Sequence, residues 1–195
     1  MISRTMDCIV EKPMINTDGM TTDDILGIAR DALAKKELRD VVVASTQGNT
    51  GVASAKLFGS LGVNLVVVAH SIGFRGPNTN EFRPDMKNER QELGGSVLFS
   101  TMPFHSINDA IRAKMGSSIE TLIADTLRMM GHGTKVCAEI VAMACDAGLV
   151  ESDRKVLAIA GTGRGADTVL IVKSANSRRF FDLKIVEVLA KPQTI

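Results

Sequence analysis

The hydrophobic positions of the chain alternate between short uninterrupted runs and longer stretches with helical spacing. The runs at 41–43 and 65–69 contain no polar residue, which is typical of strands that are buried on both faces. Around the first run, apolar residues recur every three or four positions, which predicts amphipathic helices over about 22–37 and 50–60. The pattern therefore predicts repeated strand–helix units.

The same pattern continues towards the C-terminus with one long helical region. Residues 107–147 have mostly helical spacing, with breaks at Gly116 and at 131–133. The last piece, 135–147, is apolar nearly all round, so we expect it to be deeply buried. The remaining predicted elements are an extended arm at 1–13, a loop at 16–22, a helix at 84–93 and strands at 97–99, 156–160, 169–172 and 185–189.

The order of these elements predicts an α/β fold with a mostly parallel, mixed sheet. Strands that alternate with helices form parallel pairs with right-handed crossovers. The first three buried strands are expected to lie outward in order, with the strand at 156–160 on the other side of the first one. A short link joins 156–160 to 169–172, which predicts an antiparallel hairpin. We expect a single domain over residues 1–195.

The stretch that follows the strand at 41–43 has the composition of a phosphate-binding turn. A glycine turn at a helix N-terminus leaves backbone N–H groups free, and the helix dipole favours an anion there. The residues predicted to hold the phosphate of a small ligand are Ser45, Thr46, Gln47, Gly48, Asn49 and Thr50. Gly48 and Thr50 also fit purely structural roles, in turn geometry and as a helix cap.

A second glycine-rich turn, at 161–167, is expected to meet the first. In open α/β sheets the ligand binds beyond the carboxyl ends of the strands, where the strand order reverses. The predicted strand order puts this point between the two turns. We therefore predict that Gly163, Arg164 and Gly165 close on the ligand, because a guanidinium fits phosphate oxygens. Arg164 could equally be a solvated turn residue, and Asp167 is better suited to order its own turn.

The loops after the next two strands contain candidates for contacts with the rest of the ligand. The loop at 70–80 has the length and residue types of a lid or binding loop. Candidate contacts in these loops are His70, Gly73, Phe74 and Thr101, although His70 could instead be a hydrogen bonder at the end of a strand.

The sequence offers no clear catalytic set. The three histidines do not have the spacing of metal ligands, so we expect no metal site. His132 stands between two glycines and is interpreted as a turn residue. Lys135 and Glu139 form a helical i,i+4 pair that would matter only if it were buried near the crevice. No paired acid and base stands out.

Composition limits the expected partners and location. The chain has 23 basic and 22 acidic residues, and this balance gives no electrostatic basis for binding nucleic acid or an anionic membrane. No apolar run approaches the roughly 20 residues that cross a bilayer. The chain has three cysteines without a CxxC pair and begins without a secretory h-region, which predicts a cytoplasmic protein with reduced thiols.

Three familiar ligand-binding motifs are absent or incomplete. Residues 161–166 match G-x-G-x-x-[GA], but strand-like residues follow the glycines where a dinucleotide site needs a helix. No G-x-x-x-x-G-K-[ST] motif occurs, so P-loop chemistry is excluded. Residues 48–51 resemble the SGNTG loop of pyridoxal-phosphate enzymes of the tryptophan synthase β type. Those enzymes need a Schiff-base lysine, and neither Lys12 nor Lys56 stands in such a context.

The two glycine turns also resemble parts of the pyruvate kinase C-terminal domain. The segment VVVASTQGNTGVASA, at 41–55, resembles the turn that grips the phosphate of a sugar bisphosphate there, and residues 161–165 resemble that domain's last effector loop. Over nearly the whole chain the sequence is similar to a stand-alone, mainly archaeal family for which no reaction is established. This resemblance is carried by EKP at 11–13, GHGTKVCAE at 131–139, MACD at 143–146, GRGADT at 163–168 and FFD at 180–182.

The resemblance implies a three-layer α/β/α sandwich of the pyruvate kinase C-terminal type, and FMN as the ligand associated with such stand-alone members. By position, residues 45–50 would hold the phosphate and residues 163–165 would close on the ligand. The catalytic barrel of pyruvate kinase is absent, so that activity is not expected. The turn has Gln47-Gly-Asn49 where the kinase has Ser-Gly-Arg, which disfavours a sugar bisphosphate.

Three functions remain open on this basis. The first is binding of a small phosphorylated ligand, preferably FMN, between the two turns. The second is a flavin-dependent or phosphometabolite-processing enzyme, whose catalytic residues are unknown. The third is a regulatory or assembly module that acts by forming a homo-oligomer.

Overall fold

The computed structural model describes residues 13–86 and 96–194, which form an α/β fold around one seven-stranded sheet. The strands are β1 (Ile15–Asn16), β2 (Asp40–Ala44), β3 (Asn64–Ala69), β4 (Ser96–Phe99), β5 (Lys155–Ala160), β6 (Thr168–Lys173) and β7 (Lys184–Lys191). The α-helices with described ends are α1 (Thr22–Lys36), α2 (Asn49–Phe58), α3 (Ile107–Met115), α4 (Ile119–Arg128) and α5 (His132–Asp146). Short 3₁₀ helices cover Gly59–Leu61 and Ser177–Asp182, and residues 84–86 are also helical. Most of the predicted arm at 1–13 and of the predicted helix at 84–93 lies outside the described residues.

The strand order of the sheet is β1-β7-β6-β5-β2-β3-β4. β2, β3 and β4 are parallel neighbours, and β5 pairs in parallel with the other side of β2. β5 and β6 form an antiparallel hairpin, and β7 is antiparallel to β6. The predicted order of the four central strands and the predicted hairpin are therefore confirmed, and the sheet is mixed.

Two hydrophobic clusters lie on opposite faces of the central strands. Val41 and Val43 belong to the cluster that contains the buried residues of α1 and α2, whereas Val42 belongs to the cluster that contains those of α5. Successive side chains of a strand point to opposite faces, so a strand that is covered on both sides must be apolar at every position. This explains the uninterrupted apolar run.

Two elements differ from their predictions at their ends. The predicted loop at 16–22 begins with the end of β1, a strand of only two residues that pairs with β7. The last helical piece begins at His132 and not at 135, so the interpretation of His132 as a turn residue is wrong. Gly133 explains the earlier start, because a β-carbon there would collide with Thr168, and its absence lets the first turn of α5 pack closely on β6.

The described helices differ in how deeply they are buried. α5 is buried along almost its whole length, as predicted. None of the described helices is long and apolar enough to span a membrane.

Candidate functional site

The two glycine-rich turns leave neighbouring strands at the same edge of the sheet. β2 and β5 are parallel, and Val43 pairs with Ile159 in their register. The first turn therefore starts beside the second, as the predicted strand order requires. This is the edge at which open α/β sheets place their ligands.

Backbone conformation at the first turn depends on Gly48, which is the N-cap residue of α2. Its φ of +106° lies in the left-handed region that favours glycine. A β-carbon at this position would also lie 2.5 Å from Met86 Cβ, so a substitution would disturb packing as well as the turn. The cap role considered for Thr50 is wrong, because α2 begins at Asn49 and Thr50 is already inside its first turn.

The start of α2 presents backbone donors at this edge. Within residues 13–86 and 96–194, the N–H groups of Gln47, Gly48, Asn49 and Thr50 meet no acceptor. Ser45 is different, because its side chain is buried and its Oγ accepts the N–H of the neighbouring Gly51 at 3.1 Å. The buried Ser45 hydroxyl therefore stabilises the turn through this hydrogen bond.

The second turn is ordered by Asp167 and by contacts with the start of α1. Asp167 accepts hydrogen bonds from Thr162 Oγ1 at 3.1 Å and Thr168 Oγ1 at 2.6 Å, which agrees with its predicted role in its own turn. Thr22 Oγ1 accepts the N–H of Ala166 at 3.1 Å. These contacts hold the base of the turn and leave its tip, Gly163 and Arg164, exposed.

Arg164 has no carboxylate partner among the described residues, so its guanidinium is available to an anion at this edge. Gly165 lies closer to the body of the protein, where its φ is +127° and a β-carbon would collide with Thr22 Oγ1. The turn therefore holds Arg164 on a short, well-supported tip.

His70 connects the first turn to the loop after β3. Its Nε2 lies 3.4 Å from Thr46 Oγ1, and its Nδ1 lies 2.8 Å from Glu81 Oε2. The His70 ring also contacts the ring of Phe74, with the centroids 4.2 Å apart. The observed hydrogen bonds fit the alternative that His70 is a hydrogen bonder at the end of a strand.

A pocket of about 380 Å³ is lined by Phe74 and by other residues that follow β3 and β4. Its lining residues are Ser71, Ile72, Gly73, Phe74, Thr101, Ser106 and Asp109. Three of them, Gly73, Phe74 and Thr101, are predicted contacts for the rest of the ligand. Volumes of roughly 300–1,000 Å³ are typical of small-molecule sites. A second pocket of about 390 Å³ lies between α1 and α2, so the lining residues and not the volume select the pocket beside Phe74.

A chain of charged and polar side chains runs from this pocket into the core, and sequence reasoning missed it as a unit. Asp109 Oδ2 lies 3.2 Å from His105 Nδ1, and His105 Nε2 lies 3.0 Å from Lys135 Nζ. Lys135 in turn donates to the carboxylate of Glu139. Glu139 also accepts the backbone N–H of Phe104 at 2.8 Å.

Burial sets the electrostatics of this group, which we call the Asp109–Glu139 chain (Asp109, His105, Lys135 and Glu139). The side chains of Lys135 and Glu139 are each only 1 % exposed. Desolvation lowers the pKa of Lys135, and the charge of Glu139 opposes that effect. Desolvation and the nearby Lys135 charge lower the pKa of His105. A neutral His105 that accepts from Lys135 and donates to Asp109 satisfies all of these contacts.

The i,i+4 spacing of Lys135 and Glu139 was visible in the sequence, but their burial and the approach of His105 from another loop were not. Phe104 and His105, in the connection from β4 to α3, contact α5 through Glu139 and Lys135. Phe74 links the two halves of the site, because its ring lies 4.2 Å from that of His70 and 5.5 Å, edge-on, from that of His105. The structure therefore brings the predicted loops after β3 and β4 together with the first turn of α5.

The chain has distant similarity to several proteins of known structure. No model of a known protein family matches the sequence. A pyruvate kinase from Cryptosporidium parvum matches 85 % of this chain with 14 % identity and a TM-score of 0.41. An O-ureido-L-serine synthase matches 65 % of the chain with 19 % identity, and a pyridoxal 5′-phosphate-dependent aspartate racemase matches 71 % with 18 % identity, both with a TM-score of 0.32. The chain spans 24 % of the pyruvate kinase and about half of the other two, at 48 % and 47 %.

Proposed function

We propose that this protein binds a small phosphorylated ligand, with FMN as the first candidate, at the edge where β2 and β5 end. The observation that carries the proposal is the set of N–H groups at residues 47–50 that meet no acceptor within the described part of the chain. They lie at the positive end of α2, where an anion is favoured. We include in this proposal a three-layer α/β/α sandwich of the pyruvate kinase C-terminal type and a cytoplasmic location.

The charge pattern of the helix starts supports an anion at α2. The first turn of α1 contains Asp23 and Asp24, and the first turn of α4 contains Glu120. The first turn of α2 contains no acidic residue. Asp109 lies in the first turn of α3, whereas the first turn of α5, like that of α2, has no acidic residue. A bound phosphate would supply at α2 the negative charge that α1, α3 and α4 obtain from their own side chains.

Contacts across the site suggest how such a ligand would extend. The phosphate would lie at residues 46–50, with Arg164 available from the second turn. From there, Thr46, His70 and Phe74 form a continuous path to the pocket. A flat ring seated against Phe74 would then lie near Gly73 and Thr101, which line the pocket.

The test compares FMN with riboflavin, which lacks the phosphate. We expect FMN to bind more tightly than riboflavin, as measured by titration of flavin fluorescence. Asn49→Asp places a negative charge at the start of α2 and should weaken FMN binding on the order of tenfold, while riboflavin binding stays unchanged. Equal binding of FMN and riboflavin, or no binding of either, would refute the proposal.

A matched control places the same negative charge just after the C-terminal end of α2. Ser60 is exposed in the 3₁₀ helix Gly59–Leu61 that follows α2. Ser60→Asp adds the same charge about one helix length away from the proposed phosphate and should leave FMN affinity unchanged. A loss of FMN affinity in this variant would mean that overall charge, and not the turn, controls binding.

The Asp109–Glu139 chain favours a second candidate function, an enzyme that uses the bound flavin or processes a phosphorylated metabolite. A buried lysine, a neutral histidine and two carboxylates beside a pocket are a combination that enzymes use to move protons. FMN would supply hydride acceptance in such an enzyme. Lys135 and Glu139 are too deeply buried to touch a ligand, so Asp109 is the member of the chain that would meet it.

A reductant assay separates this enzyme from a pure binding protein. FMN-loaded protein is mixed with NADH, and oxidation of NADH is followed with oxygen as the final acceptor. We expect turnover above that of free FMN, and Asp109→Asn should lower the turnover measured at saturating FMN. Turnover equal to that of free FMN would leave binding as the only proposed function.

A further inference from the structure

The surface of α3 and α4 concentrates exposed apolar side chains. The described residues include twelve exposed large apolar side chains, and seven of these lie within the stretch 107–130. We call them the α3–α4 apolar face: Ile107, Ile111, Met115, Ile119, Leu122, Met129 and Met130. Clusters of this kind on soluble proteins mark interaction surfaces.

α3 has little support from the rest of the described chain. It is nine residues long, it buries only Asn108 among its described residues, and it is tied to the preceding loop by the contacts of Asn108 with the Phe104 carbonyl and of Asp109 with His105. Isolated helices shorter than about 12–15 residues are marginal in water. Ile107, Ile111 and Met115 recur every four residues, so they form one stripe along the helix. A folded α3 with this stripe exposed therefore calls for a covering surface.

The charges on α3 and α4 indicate what covers the face. The two helices carry three acidic residues, Asp109, Glu120 and Asp125, and three basic ones, Arg112, Lys114 and Arg128. A helix that lies on a membrane is rich in Lys and Arg on its polar side, and a nucleic-acid surface needs an excess of basic residues. A balanced set instead suits a surface that itself carries both signs.

A second copy of the chain meets this requirement. Arg112 pairs with Asp109 and Arg128 pairs with Asp125 within the chain, which leaves Lys114 and Glu120 for a partner. In a two-fold contact the same patch occurs on both sides, so Lys114 of one copy can lie opposite Glu120 of the other. Large apolar side chains bury on the order of 100 Å² each. Seven partly exposed ones therefore supply more than half of the roughly 800 Å² that each partner contributes to a standard interface.

We propose that two copies of this protein pair through the α3–α4 apolar face. The contact would bury the stripe of α3 against the partner and would explain how so short a helix stays folded. The pairing requires no ligand, so it stands or falls separately from the proposed binding of FMN.

The test is sedimentation velocity over a broad dilution series, without added ligand. We expect the wild-type protein to sediment as a dimer at high concentration. The double variant Ile111→Glu, Met115→Glu should sediment as a monomer, because it places carboxylates in the middle of the contact. Both side chains are exposed in the single chain, so circular dichroism should show an unchanged fold. Leu61→Glu, on the 3₁₀ helix after α2, is a matched control and should still form the dimer.

Hydrogen exchange gives a second readout on the unaltered protein. The amides of α3 should exchange slowly in concentrated wild-type protein and rapidly after dilution. A wild-type monomer at every concentration would overturn the proposal. A dimer that persists in the double variant would also overturn it, as would binding of the wild-type face, but not the variant, to lipid vesicles.

Discussion

At the scale of single residues, the buried Lys135–Glu139 pair is the least expected feature of the chain. Removing two charges from water costs several kcal/mol per ion, and a good geometry recovers this cost only in part. The pair is satisfied here by His105 and by the Phe104 N–H, so no buried charge is left alone. Breaking it from one side should therefore be far more harmful than losing an exposed pair.

Lys135→Met tests this expectation. The variant leaves the Glu139 carboxylate buried without its cation, and we expect the free energy of unfolding to fall by about 3–5 kcal/mol. Urea denaturation measures the change. Glu151→Gln serves as the control because it removes the exposed pair with Arg154, and it should cost about 1 kcal/mol or less. Similar losses in both variants would show that burial does not dominate.

His105 predicts a pH dependence of stability. Its pKa in the folded protein is lowered by burial first and by Lys135 second, while Glu139 and Asp109 oppose these effects. The unfolded chain therefore binds more protons than the folded one just below the ordinary histidine pKa of about 6.5. Its contribution to stability is complete above that pH and is lost as the pH falls through the folded pKa.

The measurement is the urea midpoint of wild type and His105→Asn between about pH 8 and pH 5. We expect the wild-type midpoint to fall more steeply on acidification than that of the variant. His132 also has a pKa lowered by burial, so part of the slope should remain in the variant. An NMR titration in which His105 protonates at or above pH 6.5 would contradict this prediction.

At the scale of elements, the helix starts show how much could be predicted from the sequence. Thr21 and Asp24 form a reciprocal capping box at α1, which local sequence favours at that position. The strands of the centre were predictable for a similar reason, because burial on both faces requires an unbroken apolar run such as 41–43. The α5 start was not predictable, because it depends on a close approach between Gly133 and Thr168 in a distant strand.

The candidate site likewise has a part that the sequence predicts and a part that it does not. Its glycine turns lie within single segments of sequence, so their composition alone predicts them. The Asp109–Glu139 chain combines residues from the loop before α3, from α3 itself and from the buried helix α5, and only the three-dimensional structure brings these together. Burial of Lys135 in particular follows from the tertiary packing of α5 and not from any local preference.

The start of α2 predicts opposite effects of one charge on stability and on binding. Asn49→Asp adds a carboxylate to a first turn that has none, so the free energy of unfolding should rise by about 0.3–1 kcal/mol in the absence of ligand. Ser60→Asp adds a carboxylate just after the C-terminal end of α2 and should lower the free energy of unfolding slightly. Thermal unfolding without ligand checks both values. A destabilised Asn49→Asp variant would mean that the turn is disturbed, and its loss of FMN affinity would then say nothing about the phosphate.

At the scale of the whole molecule, α3 belongs to two of the proposed features at once. It carries part of the α3–α4 apolar face, and through Asp109 it also lines the pocket beside Thr101 and Phe74. A ligand that fills the pocket would hold α3 in place, and a partner copy would do the same from outside. Two binding events that order the same element favour each other.

We therefore predict that FMN strengthens dimerisation. Linkage requires the reciprocal effect, so dimerisation should raise FMN affinity by the same factor, at least about fivefold for a typical coupling. Sedimentation velocity with and without saturating FMN gives the first value, and flavin titration of the wild type and of the monomeric double variant gives the second. Riboflavin should act like FMN in this assay, though at higher concentration, because the coupling arises at the pocket and not at the phosphate. If FMN binds equally well to monomer and dimer, α3 does not connect the two sites, and the binding site and the interface are independent properties of the fold.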